Sequence, residues 1–165
     1  SMEEALIAMQ DVGDAATETS PGMQVNVIEH VTGAFLKRGG SGLPDWVIRG
    51  TGLALANQHS KGNPYLVKMP GQAGEILREA RIAKPEDIFG NGTFSPGEVG
   101  PIGFTLVDFM LKRGGPKNFG EFVRKIQSGS NAEAALKAVY NADGKTLAQA
   151  YANSLPAGAA KKGKK

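Results

Sequence analysis

An acid and a base stand side by side at Glu29 and His30, and the chain's other histidine is His59. Such groups serve metal binding, acid–base work or recognition. A catalytic zinc needs three protein ligands drawn from His, Asp, Glu or Cys, converging to about 2.0–2.3 Å of one point. With no cysteine and two histidines, the set open to this chain is Glu29, His30 and His59. Glu29 and His30 are adjacent, however, and helical neighbours point about 100° apart. The residue one turn on from Glu29 is Gly33, which has no side chain, and Arg49 adds a cation that keeps its proton. Acid–base chemistry by Glu29 and His30 lacks a nucleophile, since no serine lies near His30 in sequence. Recognition remains: Arg49 can take up a carboxylate, either from a ligand or from Glu29 itself.

The elements that must position these residues run from Val25 to Ala54. Val27, Ile28, Val31, Ala34 and Phe35 recur at helical spacing, which predicts one buried face. Glu29 and Gly33 fall on the opposite face, beside Asn26 and Lys37. Lys37 and Arg38 suit the negative end of the helix dipole, and Gly39 is placed for a left-handed cap. Leu43-Pro44-Asp45-Trp46 opens a second helix, expected to reach about His59. Trp46, Val47, Gly50, Leu53 and Ala54 make its buried stripe, with Gly50 free to admit the first helix closely.

This pair of helices resembles the active-site core of the peptidase MA-like zinc metallopeptidases, the gluzincins. There a HExxH helix is followed by a helix of the form LPxWLxEGxA. Leu43-Pro44-Asp45-Trp46-Val47-Ile48-Arg49-Gly50 is similar to the second motif, with Arg49 where the glutamate ligand belongs. Glu29-His30-Val31-Thr32-Gly33 falls in the slot of HExxH, with Glu29 and Gly33 in the histidines' places and His30 in the catalytic glutamate's. The resemblance covers about Val25 to Leu155 and fits poorly over 60–95. It implies a non-catalytic, zincin-like domain (an inactive metallopeptidase homologue) with no catalytic residue, cofactor or metal ligand. Glu29, His30, Gly33 and Arg49 would line a remnant cleft holding a peptide or partner protein, or the domain would be a structural module. The alternative is a hydrolase with a relocated metal or acid–base site. Relatives of this architecture are exported or envelope-associated. The sheet that normally precedes the HExxH helix has too few residues upstream here, so little or no sheet is expected.

Composition sets the outer bounds. At 165 residues and 41% hydrophobic, the chain can bury the core of one domain, expected over residues 1–158. The net charge of +3 misleads, because Lys161, Lys162, Lys164 and Lys165 belong to a basic, disordered tail expected over 159–165. Taking those four from the 19 basic residues leaves 15 against 16 acidic ones. A nearly neutral body argues against a nucleic-acid surface. No apolar run approaches the ~20 residues of a membrane span, and no signal peptide is evident.

The remaining pattern is helical, giving a mainly α fold of about six to seven helices. Residues 3–16 predict a first helix with Leu6, Met9 and Val12 on one side. Tyr65–Val67 reads as an extended connector, Gln72–Ala83 as a helix, and Lys84–Gly92 as turns. Gly90-Asn91-Gly92 is no phosphate loop, having neither a following Lys-Ser/Thr nor a preceding strand. Pro101–Arg113 predicts a buried central helix stopped by Gly114. Pro116 opens another, with Phe119, Phe122, Val123 and Ile126 inward. Asn131 caps a helix carrying Ala135, Leu136, Val139 and Tyr140, and Thr146–Leu155 closes the chain. Leu36–Gly40 and Leu111–Gly115 share the run LKRGG, read as two helices ended by the same capping chemistry.

Overall fold

The computed structural model describes residues 15–157. The helix expected over 3–16 and the tail expected over 159–165 therefore lie outside the described residues, except Ala15 and Ala16, which are not helical. The elements are α1 (Gly22–Arg38), α2 (Asp45–His59), α3 (Pro64–Val67), α4 (Met69–Glu79), a 3₁₀ turn η1 (Pro85–Phe89), α5 (Pro96–Gln127), α6 (Ala132–Tyr140) and α7 (Gly144–Ser154). No strand occurs among the described residues, so the fold is all-α. None of these helices is long and apolar enough to cross a membrane.

α2 is the element the others are built on. Its stripe of Trp46, Val47, Gly50, Leu53 and Ala54 is buried, as its spacing predicts. Trp46 is fully buried, with Phe89 and Phe122 packed against its ring. Its indole N–H donates to the Phe89 carbonyl at 3.0 Å, which removes the cost of burying that donor. The start of α2 is held from outside, because the Asn91 side chain accepts from the Asp45 N–H at 3.1 Å. The Gly90-Asn91-Gly92 loop thus serves as a helix cap.

Glycines let α2 meet its neighbours backbone to backbone. Gly50 packs on α5 rather than on α1: a Cβ there would run into the Gly103 carbonyl. One on Gly103 would stand 2.7 Å from the Trp46 carbonyl oxygen. The approach of α1 falls to Gly52 instead, where a Cβ would lie 2.8 Å from the Glu29 Cα. This contact overturns most of the face predicted for α1, of which Ile28 does pack on the core. Val25 and Gly33 are buried, with Ile28 and Leu36 packed on the core. Val31 and Phe35 are 64% and 76% exposed, and Ala34 is also at the surface. Counting apolar residues favours the Val31–Phe35 side; close packing favours the side with the small residue, and it prevails.

Other differences have local causes. Gly39 is right-handed (φ −73°, ψ −6°), and positive φ falls on Gly40 and Gly42. The Leu36 carbonyl accepts from the Gly39 N–H at 3.2 Å and also from Gln127 Nε2 of α5 at 3.0 Å. Tyr65–Val67 is helical because Asn63 caps it, its Oδ1 accepting from the N–H groups of Tyr65 and Leu66. α4 starts and stops earlier than Gln72–Ala83. α5 begins at Pro96 because Ser95 and Glu98 form a capping box, the Glu98 carboxylate accepting from both Ser95 N–H and Oγ–H. The two LKRGG runs end differently: α1 stops at Arg38, whereas α5 kinks at Gly115 (φ 75°, ψ 171°) and continues. Beyond the kink Phe119, Phe122, Val123 and Ile126 turn inward, as their spacing predicts.

Two tyrosines close the core. Tyr151 is fully buried and shares a 2.7 Å hydrogen bond with Thr105 of α5. The Tyr140 hydroxyl is buried with no partner among the described residues. Desolvation raises its phenol to about 12 from an ordinary value of 10.0. The neutral form is the one the fold favours, so this stability is complete below pH 10 and is lost as pH climbs toward 12. Tyr140→Phe should therefore flatten part of the alkaline loss in a pH series of thermal melts while changing little at neutral pH; an unaltered alkaline limb refutes this. Gly50→Ala should cost about 2–3 kcal/mol in denaturant unfolding, by forcing packed backbones apart. Gly71→Ala in α4, where a Cβ meets nothing within 4 Å, should instead stabilise by about 0.5–1 kcal/mol.

Candidate functional site

α1 meets α2 closely where Glu29 passes Gly52, and a gap lies alongside, lined by both helices. The gap is a cleft of about 680 Å³, closed at its far side by the start of α5. Each wall follows from local sequence. α1 presents Glu29, His30, Gly33, Ala34 and Lys37; α2 presents Asp45, Ile48 and Arg49; the capping-box turn brings Phe94, Pro96 and Val99. The four residues singled out from sequence, Glu29, His30, Gly33 and Arg49, thus come together in one cavity. His59 does not join them. It ends α2 and lines a separate apolar groove with Met23, Val27 and Leu55.

The central interaction is an ion pair. Arg49 Nε donates to Glu29 Oε1 at 2.8 Å, with the glutamate side chain 16% and the arginine side chain 34% exposed. Arg49 Nη1 also donates to the Pro96 carbonyl at 3.1 Å, so one guanidinium joins α1, α2 and the first turn of α5. Gly100 makes room for it, since a Cβ there would press on Cζ at 3.2 Å. Gly33 is buried on α1, but a Cβ there would make only an ordinary 3.4 Å contact with Ile48 Cγ2.

His30 is exposed, with Nδ1 2.8 Å from the Asn26 carbonyl. A carbonyl accepts only, so Nδ1 carries the proton of the neutral ring and Nε2 keeps a bare lone pair. That nitrogen can accept a hydrogen bond from a ligand. It has no carboxylate behind it, because Glu29 is turned to Arg49.

These residues do not fit a zinc ion. Glu29 is occupied by Arg49, Gly33 offers no donor atom, and the guanidinium places a fixed positive charge where a divalent cation would sit. Among the described residues no three of His, Asp or Glu converge as a ligand set. What the arrangement can do is bind: hydrogen-bonding groups rim a mainly apolar floor of Ile48, Phe94 and Val99.

Sequence reasoning missed the third wall. Phe94, Pro96 and Val99 belong to the stretch that fits no periodic pattern, and only the Ser95–Glu98 spacing announces a helix start there. Ala34 was assigned to the buried face and proves to be an exposed wall of the cleft. Set against family models, curated proteins and solved structures, the chain matches none of them.

Removing either partner of the ion pair leaves the other half-buried and unpaired. A double-mutant cycle with Glu29→Gln and Arg49→Gln should give a coupling of about 1–2 kcal/mol in denaturant unfolding. A coupling indistinguishable from zero would show that the contact adds nothing to the helix crossing.

Proposed function

We propose that this chain is a non-catalytic, pseudo-peptidase-like binding domain whose α1–α2 cleft holds an extended peptide segment. The observation that carries this reading is the Glu29–Arg49 bond. It stands at two positions where the gluzincin resemblance places metal ligands, and it ties the helices without an ion. A cleft of about 680 Å³ falls within the roughly 300–1,000 Å³ of typical ligand sites. Its apolar floor and scattered polar rim suit a peptide, which carries side chains and backbone amides together.

The test is selection from a displayed peptide library with chelator-treated protein, followed by fluorescence anisotropy on the recovered sequences. Ala34→Trp is the control, because Ala34 is exposed on the cleft wall and a large ring there fills the cavity without disturbing the core. Recovered peptides should bind wild type intact and bind Ala34→Trp at least tenfold more weakly. Failure to recover any sequence sensitive to Ala34→Trp would refute the reading. Cleavage of the peptides would refute it in favour of a hydrolase.

A further inference from the structure

The unspent polar capacity of the cleft is uneven. Its carboxylates are engaged: Glu29 accepts from Arg49, and Asp45 Oδ1 accepts from the Trp46 N–H at 2.8 Å. Its cations keep donors to spare, although Arg49 is itself paired with Glu29. Arg49 is pinned by two hydrogen bonds, from Nε and Nη1, while Nη2 donates to no group among the described residues. The guanidinium lies against Gly100, where a Cβ would come within 3.2 Å of Cζ and 3.4 Å of Nη1 and Nη2. Lys37, one turn past Gly33 on the α1 wall, lines the same cavity and pairs with no carboxylate among the described residues. α2 and α5 begin at the cleft, and their positive ends are set against the negative end of α1 beside Lys37.

A fixed guanidinium with donors to spare, beside a mobile ammonium, suits a carboxylate. The apolar floor of Ile48, Phe94 and Val99 lies next to it, and His30 Nε2 offers an acceptor for an amide N–H. A carboxylate, an apolar side chain and a backbone N–H occur together at the C-terminus of a peptide that ends in an apolar residue. We propose that the cleft captures such a C-terminus, with the terminal carboxylate on Arg49 and Lys37 and the last side chain on the apolar floor. This rests on the peptide-binding reading and specifies which part of the peptide is held.

The experiment uses N-terminally fluorescein-labelled pentapeptides ending in Leu or Phe, each made as free acid and as C-terminal amide, titrated by anisotropy. A third form, amidated but with Asp before the last residue, separates a side-chain carboxylate from the terminal one. The free acids should bind at least tenfold more tightly than both amidated forms. Lys37→Gln, an exposed substitution, should shrink the acid-to-amide ratio about threefold, and Arg49→Lys should shrink it further while circular dichroism stays unchanged. Equal binding of acid and amide, both abolished by Ala34→Trp, would overturn C-terminal capture and leave the peptide cleft standing. Tight binding of the Asp-containing amide would likewise overturn it. Binding of none of the three forms would overturn C-terminal capture, and the library selection then decides the peptide cleft separately.

Discussion

Backbone contact at the glycines of α2 is the constraint from which the rest of this fold follows. Helices that meet through large side chains sit about 8–10 Å apart and can adjust by changing rotamers. Here α2 and α5 meet at Gly50 and Gly103, where carbonyl and Cα atoms do the packing. With only Val107 adding a side chain beside Gly50, most of the dispersion contact comes from the main chain, whose geometry relaxes little. The crossing also brings Trp46 over the start of α5's buried face, so the indole, Phe89 and Phe122 form the floor of the core. The same device recurs on the other side of α2, where Gly52 takes the backbone of α1 at Glu29.

That second contact explains why a carboxylate points into the interior. Glu29 lies on α1 at the tightest point of its crossing with α2, so its side chain has little water around it. An unpaired carboxylate there is costly, and Arg49, one helical turn from Trp46 on α2, supplies the counter-charge. The pair links one turn of α1 to one turn of α2. The second bond, from Arg49 to the Pro96 carbonyl, extends that link to α5.

The all-α class and the inward faces of α2 and α5 were legible because their apolar residues are dense and regularly spaced. The caps at Asn131 and the break near Gly114–Gly115 were equally plain, since Asn and Gly act through local chemistry. α1 was misread for an instructive reason. Val27, Val31 and Phe35 form the better apolar stripe, but burial was decided by where two backbones could approach, which is a property of the pair and not of one helix. The nearness of Glu29 and Arg49 followed from complementary charge on consecutive helices. The third wall of the cleft did not follow, because nothing local in Phe94–Val99 states which distant helices it will face. The short α3 was hidden for a different reason: one asparagine side chain nucleates it, and a single residue carries no periodicity.

Because α1 and α5 are each keyed to α2 through main-chain atoms, the cavity between them has a fixed gauge. Widening it would require a translation of whole helices, with loss of the Gly50–Gly103 or Gly52–Glu29 seating. On the peptide-binding reading proposed above, a slot of this kind would sort its guests by girth, turning away a bulky chain and admitting a slender one with little freedom left for the host to lose.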